Sequence, residues 1–275
     1  MPRQIANVHT FFNVVNALLF IGFTPQITRL VERLVPMRPP KIEPRYAPRH
    51  LDPQLLDVPA IALDAARLEI LRLGALVHEM FGAAFPALLT GSPLQIDKLR
   101  VMDRPVDLLH REILGYLRQI SLGDLTAEQS RLLMAYMKIA NDLEHIGDQI
   151  SIGMVTSARK RIDENVVISP ATVAVLRRLH EQVQDALAGS LKALEEGDLE
   201  RASAVREMKQ DVTRKIEEVS LHQMKRLRAQ EPRRLPTYAR EIELTEALDD
   251  IFRTIRRIAK SQLMAASGRD RRPGA

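Results

Sequence analysis

Between Arg3 and Arg29 the chain carries no charged side chain apart from His9, and the run Phe11 to Phe23 is the apolar heart of that window. An uncharged stretch of this length is enough for one bilayer-spanning helix, so residues 1–35 are predicted to form a membrane-type helix. His9, Asn13 and Asn16 follow helical spacing and make a polar stripe suited to facing other helices rather than lipid. No small-x-small cleavage site follows the apolar run, which argues against a removed signal peptide. Only Arg3 precedes the run, whereas Arg29, Arg33, Arg38, Lys41, Arg45 and Arg49 follow it. The positive-inside tendency then places the rest of the chain in the cytoplasm, beneath the inner (plasma) membrane.

Seven prolines between Pro36 and Pro59 make residues 36–59 an expected stiff linker. Beyond it the apolar period is helical throughout. Six helices are predicted. The first covers about 60–89, with Leu68, Leu71 and Ala75 facing inward. The second starts at Ser92-Pro93 and carries Leu99, Met102, Val106, Leu109, Ile113, Tyr116 and Ile120 at steps of three and four, with a kink at Pro105. The third opens with the capping box Thr126-Ala-Glu-Gln129 and runs to about Ile162 with Leu132, Tyr136, Ile139, Leu143, Ile146 and Ile150 inward. A second Ser-Pro pair starts the fourth (Leu176, Val183, Leu187, Leu194), which ends at Gly197. The fifth holds Val205, Met208, Val212 and Val219 and ends in the basic stretch Lys225 to Arg234, expected as a solvated loop. Leu244, Leu248, Ile251, Ile255 and Ile258 mark the sixth, and residues 268–275 read as a disordered tail. Leu143-Glu-His-Ile-Gly-Asp-Gln-Ile150 aligns with Leu248-Asp-Asp-Ile-Phe-Arg-Thr-Ile255. The expected fold is therefore all-α: an N-terminal membrane-type helix, then two tandem antiparallel three-helix bundles over 60–163 and 169–267.

Composition narrows the chemistry. There is no cysteine, so disulfides, thiolate metal sites and thiol catalysis are excluded. Forty basic against 35 acidic side chains give a mixed surface, and no nucleic-acid motif accompanies the excess. Two acid pairs stand out. Asp103 and Asp107 lie four apart beside Met102 and Val106 of the seam, and Glu144 and Asp148 stand in the same relation to Leu143 and Gly147. Adjacent antiparallel helices would bring the pairs together. Two carboxylates ~5 Å apart repel by about 3 kcal/mol at an effective dielectric of 20, so such a group needs a proton or a cation. Oxygen donors suit a divalent or trivalent ion, with magnesium, manganese, calcium and iron in range and zinc only with imidazole help. Asp107-Leu-Leu-His110 and Asp142-Leu-Glu-His145 share the carboxylate-x-x-His spacing of di-iron bundles, with Asp where Glu is usual.

Leu143-Glu-His-Ile-Gly-Asp148 resembles the Leu-Glu-Arg-Ile-Gly-Asp signature of the PhoU family, with His145 in the arginine place. The resemblance covers roughly residues 57–267 and implies two tandem three-helix bundles. It also implies metal ligation by Asp103, Asp107, Glu144 and Asp148. In the second repeat Asp249 takes the Glu144 place but Arg253 replaces Asp148, and Glu207 and Asp211 are out of register, which speaks against a second cluster. The stretch Arg3 to Asn13 (Ala6, His9, Thr10, Phe12, Asn13), with Leu30 to Pro36, resembles the last membrane helix of bacterial sodium/phosphate cotransporters. These resemblances imply a membrane-tethered regulatory module of phosphate uptake, not an enzyme, acting on a transporter core or a phosphate-sensing protein. A soluble regulator of phosphate signalling is the alternative reading and a carboxylate-bridged metalloenzyme a third. The sequence leaves the oligomeric state open, a homo-oligomer included.

Overall fold

The computed structural model describes residues 11–17, 19–26, 46–228 and 233–266. Residues 11–17 and 19–26 are helical and belong to a unit ending at Glu43, separate from the compact unit that starts at Pro44. Among the described residues no helix is long and apolar enough to cross a membrane. The flanks of the expected membrane helix, the first part of the linker and the expected tail lie outside the described residues.

The second unit is all-α among its described residues. The helices are α1 (Pro59–Thr90), α2 (Pro93–Ile120), α3 (Ala127–Asp148), α4 (Val155–Asp163), α5 (Pro170–Glu196), α6 (Leu199–Glu207), α7 (Lys209–Leu227) and α8 (Arg234–Ala266). Local sequence accounts for several boundaries. Ser92 and Thr126 each form a reciprocal box with the glutamine three residues on, Gln95 and Gln129, and Ser169 accepts a bond from the Thr172 amide. These contacts satisfy amides that the first turn leaves without partners. α8 begins at Arg234 with Pro236 in its first turn, where a missing N–H costs nothing, so Pro236 opens the helix rather than breaking it.

Two departures from the expected helices matter. α3 does not run on as a plain α-helix: Gln149–Met154 form a π-helical turn before α4. In α1 the inward residues are Ile70, Leu73, Val77 and Met80, while Leu68 and Leu71 are half-buried and Ala75 is exposed. α1 touches α2, α3 and α5 and is apolar nearly all round, so periodicity alone gives no single inward face.

Counting α3–α4 and α6–α7 each as one interrupted rod, the two three-rod groups α1–α4 and α5–α8 share one hydrophobic core. α1 packs on α5 and α3 on α8. At Gly74 a Cβ would meet Leu191 Cδ2 at 2.3 Å, so any larger residue there would force the Leu191 side chain to shift. The aligned positions Leu143 and Leu248, Ile146 and Ile251, and Ile150 and Ile255 are all fully buried. Each contributes about 1.5–3 kcal/mol by leaving water.

The described end of the linker is not a free spacer. The fully buried Glu69 accepts from the backbone amides of Arg49 (2.9 Å) and His50 (2.8 Å) and pairs with Arg72, and Tyr116 donates to the Asp52 carbonyl at 2.9 Å. Followed backwards from Pro59, residues 58–46 form a strap. It climbs α1 to the level of Ala75, Leu76 and Glu79, beside Tyr46.

Candidate metal centre

α2 and α3 run antiparallel, and their facing side chains form a ladder. His110 Nε2 lies 2.9 Å from Asn141 Oδ1 at one rung. Asp107 faces Asp148 and Glu144 at the next, and Asp103 faces Gly147 and Ser151 beyond it. Asp103, Asp107 and Asp148 each place a carboxylate oxygen within 4.8 Å of the others. Glu144 stands a turn away from Asp148, near enough to act on Asp107 electrostatically but outside that group of three.

Burial raises the Asp103 pKa above its ordinary value. The neighbouring Ser151 hydroxyl opposes the rise, and Asp107 and Asp148 add to it. Neither Asp103 Oδ1 nor Ser151 Oγ completes a hydrogen bond of good geometry, although both are buried. Burial also raises Asp107, with Asp148 and Glu144 next, while Arg111 and His110 pull the other way. Desolvated acids without cationic partners in contact disfavour the charged form.

The donor set fits a hard cation. Three carboxylate oxygens within 4.8 Å of one another make an oxygen-only donor set of the kind magnesium or calcium takes, with water completing the shell. The unpartnered Asp103 oxygen is the kind of buried acceptor a cation would satisfy. His110 is committed to Asn141 and His145 is exposed, so the carboxylate–imidazole pairing of di-iron bundles does not form. Asp142 is held by Arg257, whose Nε and Nη2 reach its Oδ1 at 3.0 and 2.8 Å.

Gly147 and Ser151 belong to this site, although neither stood out among the candidate ligands. A glycine inside a helix costs ~1 kcal/mol against alanine, and that cost was the available signal for Gly147. In the second half Arg253 pairs with Asp249 and Asp250, Arg214 with Asp211, and Ser203 with Glu207. Among the described residues the first half holds the one acid group of metal-binding geometry.

The architecture is thus a duplicated three-helix bundle with an acidic, oxygen-only cluster between the second and third helices of its first half. The family model for the PhoU domain matches residues 70–152 and again 176–265, and the chain belongs to that family. It is 27% identical over 201 residues to YjbB of Salmonella typhimurium and 26% to YjbB of Escherichia coli K12, proteins named for inorganic phosphate export. That alignment takes in 73% of this chain but 37% of the relative's length. A PhoU homologue of Synechocystis, named as an accessory protein of phosphate-specific transport, is 36% identical over 91 residues, 32% of this chain and 39% of its own. Solved PhoU structures from Pseudomonas aeruginosa (TM-score 0.69, 23% identity, 76% of this chain and 99% of that one) and Streptococcus pneumoniae (0.67, 18%, 76% and 97%) share the fold.

Proposed function

We propose that the chain is a metal-binding regulatory module of phosphate transport, not a catalyst. Asp103, Asp107 and Asp148 hold a hard cation, with Glu144 at its edge. Once bound, the ion supplies the positive charge that three converging carboxylates lack and fastens α2 to α3. The observation that carries this reading is the grouping of those oxygens around a buried, unpartnered Asp103 Oδ1. The module acts on a transport core or a phosphate-sensing partner. The YjbB relatives extend well beyond the matched part, and their names favour export over the uptake expected from the sequence. The likeness of Arg3 to Asn13 to a cotransporter's last helix supports attachment at the inner membrane, with the bundle on the cytoplasmic side. Metal analysis of protein purified without chelator tests the site: an Asp107→Asn/Asp148→Asn double variant should lose the metal that the parent carries. Equal content in the two would end the reading.

A second reading, a soluble regulator of phosphate signalling, draws support from the Synechocystis relative, named as an accessory protein of phosphate-specific transport. Membrane partitioning of the chain with and without residues 1–35 separates the two.

A further inference from the structure

The two ends of the bundle differ in charge. One end carries the α1–α2, α4–α5 and α7–α8 connections, and residues 91–98, 159–169, 225–228 and 233–235 there hold nine basic against three acidic side chains. The other end carries the start of α1 and the α2–α3 and α5–α6 connections. Residues 57–64, 118–128 and 192–202 hold three basic against eight acidic side chains.

Arginines knit the basic end into one surface. Arg161 Nη2 donates to the Gly91 carbonyl at 2.8 Å, Arg233 donates to the Glu164 carbonyl, and Arg240 pairs with the Glu164 carboxylate at 3.4 Å. From this surface three apolar side chains project, one per connection or first turn: Leu94 is 80% exposed, Val167 83% and Leu235 72%. Leu221 and Met224 on the last turns of α7 are exposed as well, beside the exposed Lys225 and Arg228.

We propose that this end docks on an anionic lipid bilayer, with Leu94, Val167 and Leu235 entering the headgroup layer and Lys225, Arg228 and Arg233 meeting lipid phosphates. Isolated exposed leucines are common and need no partner. Here they stand at every connection of one end and share it with the excess of cations, the pairing that interfacial membrane binding uses. They project singly, one from each connection, with the cations beside them, which suits a fluid anionic surface. Leu122 at the opposite end is 82% exposed but stands among acids, which an anionic surface repels. The inference rests on charge and exposure and is independent of the metal reading.

The chain has no tryptophan, so one introduced residue reports its own surroundings. Val167→Trp, Leu235→Trp and Leu122→Trp are made separately in the full chain and mixed with phosphatidylcholine vesicles with or without phosphatidylglycerol. On vesicles with phosphatidylglycerol the first two should shift to the blue and be quenched by brominated acyl chains, while Leu122→Trp stays at its solvent wavelength. Adding Lys225→Glu and Arg228→Glu to Leu235→Trp should abolish the quenching. No shift at either basic-end position, an equal shift at Leu122, or indifference to the charge reversal would each overturn the proposal. So would a shift that only a soluble protein produces, since it would assign the surface to a protein partner.

Discussion

Gly147 and Asp103 share one small space: a Cβ at Gly147 would lie 3.1 Å from Asp103 Oδ1 and 3.2 Å from Val106 Cγ1. The absence of a side chain on α3 is what lets the carboxylate of α2 settle against it. Gly147→Ala should therefore displace Asp103 by a few tenths of an ångström. The helix gains ~1 kcal/mol of propensity and loses a similar amount to crowding against the buried Val106. The expected outcome is a melting temperature within about 3 °C of the parent and metal affinity reduced about tenfold, equivalent to ~1.4 kcal/mol. Calorimetric titration alongside thermal melts reads both, and unchanged affinity would show that the glycine has no part in the site.

Removing a charge from the acid group should stabilise the metal-free protein. Burial, then Asp148 and Glu144, raise Asp107 above its ordinary value of 3.8. A carboxyl raised on folding contributes stability below its unfolded value and loses it as pH climbs through the folded one. At pH 7, Asp107→Asn should raise the chelated protein's midpoint by about 1–3 °C, a small effect because the group is exposed. The gain should vanish in acid, where the parent is also protonated. Added metal should reverse the order, raising the parent's midpoint and leaving that of the variant in place. Melts with chelator and with metal at two pH values check all four arms.

His180 sets an acid limit. It is buried, lies 4.5 Å between ring centroids from both Phe81 and Phe85, and donates from Nε2 to the Phe81 carbonyl at 3.2 Å. Desolvation outweighs that bond and lowers its pKa from 6.5 to about 4. A histidine held neutral on folding contributes stability above its unfolded pKa and loses it as pH falls toward the folded one. The bundle should lose up to about 3 kcal/mol between pH 6.5 and 4. In His180→Gln, which keeps a donor and cannot titrate, that slope should flatten. Denaturant unfolding at half-unit pH steps would show it, and a parallel decline in both proteins would assign the acid sensitivity elsewhere.

The strap should come loose before the bundle does. Glu69→Ala leaves the Arg49 and His50 amides without their acceptor and removes one of the acceptors of Arg72, which keeps the Ala47 carbonyl. Losing acceptors for buried donors costs ~1–3 kcal/mol. Amide exchange at Arg49 and His50 should accelerate at least tenfold, while exchange at Leu143 and Leu248 changes little. Equal acceleration at all four positions would mean that Glu69 serves the whole core.

Those same residues show what could be read from the sequence. Leu143 and Leu248, Ile146 and Ile251 announce the duplication because each is a core contact repeated at helical spacing. Ser92, Thr126 and Ser169 announce helix starts because a cap is a bond between residues three apart. Asp103, Asp107 and Asp148 were legible as candidates, since the period fixes which face each occupies, and antiparallel neighbours were expected to bring those faces together. Their final spacing, and the exclusion of Glu144 from the tightest group, depend on how deeply the two helices interlock at Gly147, a contact between distant parts of the chain. Glu69 lay outside prediction for the same reason: its partners are amides about twenty residues upstream, which no local pattern marks. α1 misled because a helix covered on several sides has no single polar face to orient it.

The π-helical turn at Gln149–Met154 begins at the residue after Asp148, and the helix beyond it holds Arg161 against Gly91 at the basic end. A π turn accommodates one residue more than the α-helix would. If ligation of Asp148 tightened that turn to an ordinary one, every residue downstream would rotate by about 100° around the helix axis. Arg161 would then swing off its carbonyl. Met154, Val155 and Ala158, all buried, would leave the core with it, so the one extra residue fixes which face of α4 meets the bundle.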